Sequence, residues 1–145
     1  MKRSMLLAML AVFAASAALA GVQDFGKFTV DVPAGWTGTF QNPTAVITKN
    51  DNTAALTITI APTEGLSRKE IADAFVAECR KSYPTVGTPE ADNDGDYTWE
   101  MTNANGVKSS VLLTGDNEEY CAFVMTGLDV AGDEISAMLG SVKDK

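Results

Sequence analysis

The stretch that decides the fold is residues 55–81, ALTITIAPTEGLSRKEIADAFVAECRK, in which the spacing of apolar residues changes from a strand period to a helix period. From Leu56 to Ile60, apolar residues alternate with threonine, so one face of a strand is buried and the other meets water. Ser67 and Glu70 form a capping box, which marks the first turn of a helix. Behind it, the apolar residues recur at spacings of three and four, as an amphipathic helix requires: Ile71, Ala72, Phe75, Val76 and Cys79.

Both flanks of this stretch predict further strands. The strand of residues 53–61 is expected to follow three others, and the helix must end near Ser82 or Tyr83 because Pro84 cannot continue it. The other predicted elements are strands at residues 25–32, 36–41, 45–49, 97–102, 107–114 and 119–126, and a closing helix at about 132–142. Consecutive strands joined by tight turns pair antiparallel. The predicted fold class is therefore α+β, an antiparallel meandering sheet of about six to seven strands with two packed helices.

The first 20 residues have the three parts of a secretory signal peptide. Lys2 and Arg3 give a positive start, an apolar run follows from Met5, and the stretch ends in small residues with Ala18-x-Ala20 as the cleavage site. A membrane anchor is the alternative, but the run is short and rich in alanine. Val22 stands where a lipoprotein would carry cysteine, so no lipid anchor is expected. We expect cleavage to release one domain, residues 21–145, into the periplasm or the medium, without membrane insertion.

Charge and composition exclude several classes of function. The 145 residues include no histidine, which removes every His-dependent triad and most zinc sites. Lys2 and Arg3 are the only charged residues before Gly21, so the mature chain would hold nine bases and nineteen acids, a net charge of −10. Nucleic-acid binding needs clustered Lys and Arg, so it is not expected. A basic protein partner fits this charge, although solubility alone would also account for it.

Cys79 and Cys121 are the two cysteines of the chain. An even number in an exported protein favours one disulfide, Cys79–Cys121, which would join the first helix to the last strand of the sheet. The bond forms only if the face of that strand bearing Cys121 meets the helix. Two buried free thiols are the competing interpretation, because cysteine also packs as a small apolar residue.

The densest acidic segment is Glu90-Ala91-Asp92-Asn93-Asp94-Gly95-Asp96. Alternating carboxylates in a loop with glycine suit calcium, and Asp92, Asp94 and Asp96 are its candidate ligands. An EF-hand is excluded, because counting from Glu90 puts Met101 where that loop needs a bidentate glutamate. A solvated acidic turn is the alternative. No other cofactor is expected.

No set of residues predicts catalysis. Ser109 and Ser110 have no histidine to activate them, and Lys108 lies next to them on a strand, where neighbours point to opposite faces. A carboxylate-dependent hydrolase would need two converging acids, which spacing alone does not identify. Trp36 and Trp99 could line a pocket or an interface, or belong to the core. The acidic run of residues 116–119 is either a solvated turn or a surface for a basic partner.

Two segments resemble the PsbP-like superfamily, which includes the DcrB-like bacterial envelope proteins. Residues 28–36, FTVDVPAGW, are similar to its opening strand, proline turn and tryptophan, and Ile135 to Lys143 is similar to its closing helix. The predicted order β-β-β-β-α-β-β-β-α also matches. The resemblance implies a small accessory or binding protein and not an enzyme. The acidic surface and the lack of catalytic residues favour binding of another envelope protein, including immunity- or chaperone-like roles. A small-ligand or calcium carrier is the alternative.

Overall fold

The computed structural model describes residues 20–145, so the predicted signal peptide lies outside the described residues except for Ala20. Within this part, the chain forms eleven strands and two helices. In chain order they are β1 (Gly21–Asp24), β2 (Phe28–Val32), β3 (Trp36–Gln41), β4 (Thr44–Lys49), β5 (Ala55–Pro62), α1 (Arg68–Ser82), β6 (Thr85–Val86), β7 (Glu90–Ala91), β8 (Tyr97–Thr102), β9 (Lys108–Gly115), β10 (Glu119–Thr126), α2 (Leu128–Ser141) and β11 (Lys143–Asp144).

The main sheet is antiparallel, with strand order β3-β4-β5-β10-β9-β8-β6, and β7 also pairs with β8. The predicted α+β fold class is confirmed, with eight strands in this sheet. Two of them, β6 and β7, have only two residues each and were not predicted, because such short pairings leave no periodic pattern. A second sheet of order β1-β2-β11 was not predicted either. Its strand β2 corresponds to the second half of the predicted strand 25–32.

The two helices cover opposite faces of the main sheet. On one face, α2 and β2 pack over β4 and β5, with Trp36, Leu56 and Ile135 among the side chains that are fully buried. On the other face, α1 packs over β8, β9 and β10 through Ile71, Ala72 and Val76. Each helix therefore leaves half of its own face uncovered. Along β10, alternate side chains enter the two different cores.

Helix α1 begins as its sequence predicts. The Ser67 hydroxyl accepts a hydrogen bond from the Glu70 amide at 3.1 Å, and the Glu70 carboxylate accepts one from the Ser67 amide at 2.9 Å. These two bonds satisfy amides that have no partner inside the helix. The last turn ends at Ser82, before Tyr83 and Pro84, as expected. Of the two helices in residues 20–145, neither is long and apolar enough to cross a membrane.

Helix α2 begins one turn earlier than predicted. Gly127 precedes it with φ of 81°, and the non-helical backbone of Ala131 (φ −132°, ψ 32°) separates a first turn from the main body. The predicted start at Gly132 marks this main body. The kink leaves Leu128 and Val130 exposed on the first turn while Ala131 is buried.

A hydrogen-bonded carboxylate ties α2 to the main sheet. Glu134 accepts a hydrogen bond from Nε1 of Trp36 at 3.0 Å and one from Nζ of Lys49 at 3.2 Å. The Lys49 ammonium also lies 5.8 Å from the centre of the Trp36 ring, within range of a cation–π contact. The bonds from Trp36 and then from Lys49 hold the pKa of Glu134 below its usual range. Trp36 is thus a buried core residue whose indole N–H is hydrogen-bonded to Glu134.

Candidate functional site

Three loops meet at one end of the main sheet, around the start of α1. Thr63 joins two of them, because its amide donates to the Glu118 carbonyl at 2.9 Å and its hydroxyl to the Asn117 carbonyl at 2.7 Å. Nη1 of Arg68 joins the third, donating to Oδ1 of Asp96 at 2.7 Å. We call this region, residues 62–68, 90–96 and 116–119, the acidic end.

Most carboxylates of the acidic end have no cationic partner among the described residues. Arg68 pairs with Asp96, and Lys27 pairs with Glu119 at 3.2 Å. Six other carboxylates are exposed and lack a Lys or Arg of residues 20–145 within 4.0 Å: Glu64, Glu90, Asp92, Asp94, Asp116 and Glu118. Leu66 lies within the same region with 48% of its surface exposed. The site is an apolar side chain among uncompensated negative charges.

Hydrogen bonds from the backbone fix the shape of the Asp116 turn. Oδ1 of Asp116 accepts from the amides of Glu118 and Glu119, both at 2.8 Å. These two bonds, that from Glu119 first, lower the pKa of Asp116, and the charge of Arg68 adds to the effect. The carboxylate of Asp116 therefore stays ionised at neutral pH and holds its loop in place.

The structure does not bring the three predicted calcium ligands together in one cluster. Oδ1 of Asp92 is occupied by the amides of Asp94 and Asp96, at 2.8 and 3.0 Å. The carboxylate of Asp96 points to Arg68 instead of toward the other two. Within residues 20–145 there is no group of three or more His, Cys, Asp or Glu residues able to hold a metal ion. Calcium binding at this turn stays a prediction, and the turn is stabilised by hydrogen bonds from its own backbone.

Calcium is therefore expected not to stabilise the fold. We expect the melting temperature of residues 21–145 to be the same within about 1 °C in EDTA and in millimolar calcium, because an ion that binds N no better than U leaves stability unchanged. Differential scanning calorimetry checks this. A rise of several degrees that Asp92→Asn together with Asp94→Asn abolishes would restore the predicted calcium site.

The predicted disulfide Cys79–Cys121 is not formed. Both cysteines are free, and they lie in different cores. The face of β10 that meets α1 carries Tyr120, whose ring packs edge-on against Phe75 with the ring centres 5.9 Å apart. Cys121 alternates with Tyr120 and therefore points to the other side of the sheet. The disulfide was expected because the sequence alone does not show which face of β10 meets α1.

Both thiols are expected to react slowly. Burial raises the pKa of Cys79 to about 11 and that of Cys121 to about 12, with smaller contributions from nearby carboxylates. The thiolate is the reactive form, so at pH 8 we expect each to react with iodoacetamide on the order of a hundredfold more slowly than an exposed cysteine. Mass spectrometry after timed labelling checks this. Two free thiols must appear on denaturation without reductant, and a single intact disulfide would contradict the structure.

Of the serines considered for catalysis, Ser109 has a structural partner. The hydroxyl of Ser109 is buried and shares a 2.7 Å hydrogen bond with the hydroxyl of Thr126 on β10. Ser110 and Lys108 lie on the opposite face of β9 from Ser109, as alternation requires. Trp99 is buried under α1, and its Nε1 has no hydrogen-bond partner among the described residues. Both tryptophans thus belong to the core.

Three features of the structure were not found from the sequence. The ion pair of Arg68 with Asp96 joins positions 28 residues apart, and no spacing rule identifies such a pair. The exposure of Leu66 was not expected either, although Gly65 and the capping box that follows indicate a loop at that position. Glu134 could have been noticed only by knowing that α2 crosses β3 and β4.

Comparison with known proteins defines the class of fold. The chain is similar to cyanobacterial PsbP (CyanoP) from Synechocystis sp. PCC 6803, with a TM-score of 0.54 and 13% identity over 94% of this chain and 99% of that one. It is also similar to a protein from Bacteroides thetaiotaomicron VPI-5482, with a TM-score of 0.52 and 12% identity. That match covers 88% of this chain and 49% of the other.

The chain thus has a PsbP-like fold, and the resemblance noted in its sequence is confirmed at the level of the fold. No known protein family matches the chain by sequence profile. No curated protein matches it by sequence.

Proposed function

We propose that this chain is an exported, soluble, non-enzymatic accessory protein of the cell envelope that binds a basic segment of another protein at its acidic end. The observation that carries the proposal is the set of six exposed carboxylates of the acidic end that have no cationic partner in residues 20–145. Like charges held this close repel one another, and a basic partner would relieve that repulsion. The exposed apolar side chain of Leu66, in the loop between β5 and α1, would add contact area.

The proposed compartment follows from residues 1–20 of the sequence, whose pattern is that of a secretory signal peptide. The strand β1 begins at Gly21, directly after the predicted cleavage site. Cleavage there would leave every strand and helix of the described chain intact. A PsbP-like fold with this charge also suits immunity- or chaperone-like roles, in which an acidic domain masks a basic toxin or secretion client.

The ionisable groups support a non-enzymatic role. A general acid needs a raised carboxyl pKa. Among the described carboxyls with a clear pKa shift, the shift is downward, because each accepts hydrogen bonds in its ionised form: Asp24, Asp51, Glu70, Asp116 and Glu134. These carboxylates are better suited to binding a cationic surface than to donating protons.

A charge-matched pair of variants tests the proposal. One carries Asp92→Asn, Asp94→Asn, Asp116→Asn and Glu118→Gln in residues 21–145, which removes four charges of the acidic end while the Asx turns keep an acceptor oxygen. The control removes four charges elsewhere, through Asp31→Asn, Glu100→Gln, Asp129→Asn and Asp133→Asn. The parent and both variants are immobilised and exposed to envelope extract of the source cell at low ionic strength.

We expect the parent and the control to retain the same basic protein, and the acidic-end variant to lose it. Raising the salt above about 0.5 M should release it, because ionic strength screens contacts between exposed charges. Equal loss in both four-charge variants would show that net charge alone is responsible. Retention of nothing above background at low salt would contradict the proposed binding function.

A further inference from the structure

The outer edge of β3 carries backbone groups without a strand partner among residues 20–145. β3 is the terminal strand of the main sheet and pairs only with β4 in this part of the chain. Trp36 of β3 lies opposite Lys49 of β4. The Lys49 amide donates to the Ala54 carbonyl and the Trp36 amide to the Pro33 carbonyl, so these two residues are not hydrogen-bonded to each other. Antiparallel strands alternate in this way, so Gly38 and Phe40 also direct their N–H and C=O groups outward.

The other strands at the sheet edges have protective features that β3 lacks. β6 and β7 have two residues each, and Pro84 and Pro89 interrupt that edge. In the small sheet, β1 has four residues and includes Asp24, and β11 consists of a lysine and an aspartate. Shortness, charge and proline are the usual means of keeping a sheet edge from pairing with another chain.

β3 has six residues, Trp-Thr-Gly-Thr-Phe-Gln, with neither charge nor proline. No charged residue occurs anywhere from Val32 to Thr48. At the edge, Phe40 has 36% of its surface exposed, although its ring packs against Phe25 and Phe28. Such a strand is suited to accept another extended strand, which is the β-augmentation mode of binding.

We propose that the free edge of β3 pairs antiparallel with β3 of a second copy of this chain, which forms a symmetric dimer with one continuous sheet. The outward groups set the register, so that Gly38 of each copy lies opposite Phe40 of the other. Thr39 then lies opposite Thr39 on the two-fold axis, at a pair without mutual hydrogen bonds, where the two side chains are closest. This pairing supplies partners for the outward N–H and C=O groups of Gly38 and Phe40.

A second copy fits this edge by charge as well as by register. The chain has a net charge of −8, and two acidic molecules repel each other over most orientations. The edge of β3 and the adjoining uncovered half of the sheet face carry no charge, with threonines at 37, 39, 48, 57 and 59. The acidic end and the proposed interface lie apart. The acidic end is formed by the start of α1 and by loops that follow β5 in the chain, whereas the two-fold axis passes beside β3, three strands from β10. Identical chains can therefore approach here without bringing carboxylates together.

Sedimentation velocity on residues 21–145 tests the dimer. We expect the weight-average sedimentation coefficient to rise between about 5 µM and about 500 µM, the range for a small interface. Thr39→Lys should raise the dissociation constant about fivefold or more, because it places two like charges opposite each other on the axis. Thr57→Lys is the control, since it makes the same change on the same face of β5, two strands from the edge.

Cross-linking provides a second measurement. Thr39→Cys should form a disulfide-linked dimer with oxidised glutathione as electron acceptor, and Thr57→Cys and the parent should not. A chain that stays monomeric throughout the concentration series, with Thr39→Cys no more cross-linked than Thr57→Cys, would overturn the proposal. A dimer that Thr39→Lys and Thr57→Lys weaken equally would also overturn it, by placing the interface elsewhere.

Discussion

Replacing Gly127 with alanine is expected to lower the free energy of unfolding by about 3 kcal/mol or more. Gly127 has φ of 81°, in the left-handed region that alanine rarely adopts. A Cβ there would also lie 2.9 Å from Cα and 2.8 Å from Cβ of Ala54, and against the Thr53 carbonyl oxygen. The turn that leads from β10 into α2 cannot move away from this contact without shifting the hairpin between β4 and β5. Urea unfolding followed by circular dichroism measures the loss.

The same change at two other glycines separates the two causes of the destabilisation, which are backbone strain and the contact with Ala54. Gly35 has φ of 89°, and no described atom lies within 4 Å of the place that an alanine methyl group would take, so Gly35→Ala should cost only about 1 kcal/mol for the backbone strain. Gly132 lies in α2 with neither a positive φ nor a close neighbour among the described residues, so Gly132→Ala should stabilise the chain by up to about 1 kcal/mol. If Gly127→Ala and Gly35→Ala cost the same, the contact with Ala54 has no effect on stability.

Trp36→Phe is expected to destabilise the fold by about 2 kcal/mol more than Trp99→Phe, although both changes remove an indole from a buried site. The N–H of Trp36 donates to Glu134, and its loss leaves that carboxylate with Lys49 alone. The N–H of Trp99 is buried without an acceptor among the described residues, so its removal deletes an unsatisfied donor. Thermal unfolding of the two variants gives the comparison directly.

The pH dependence of unfolding provides a check on this interpretation. The pKa of Glu134 is lowered in the folded chain, so its contribution to stability is present above its ordinary value of 4.5 and is lost as the pH falls through the lower folded value. Trp36→Phe should therefore weaken the loss of stability as the pH falls below 4.5, and Trp99→Phe should leave it unchanged. Parallel acid profiles in all three proteins would contradict the role assigned to the bond from Trp36.

Local elements were the part of the fold that the sequence predicted well. The capping box at Ser67 and Pro84 bounded α1 correctly, since both act on the backbone within a few residues. Turn residues such as Asn105-Gly106 and the alternation along β5 and β10 likewise located hairpins and faces. These patterns depend on neighbouring residues alone, so they do not need the tertiary structure.

The site depended on information that short segments do not carry. The alternation along β10 placed Cys121 on one face, but which face meets α1 follows only from the packing of the whole sheet. Similarly, the calcium hypothesis counted carboxylates along the loop, whereas the pairing of Asp96 with Arg68 comes from the position of α1. The acidic end was predicted only as separate segments, and the contacts of Thr63 join two of them.

The sheet order has a consequence for when this chain can fold. β5 pairs with β10, which lies far along the chain after α1 and four further strands, and the core over β4 and β5 is closed by Ile135 and Met138 from the last helix. A ribosome that has released only the first half of the chain has therefore delivered β5 without its partner β10, and the core over β4 and β5 without the helix that covers it. Acquisition of the native state must therefore await the synthesis of β10 and α2.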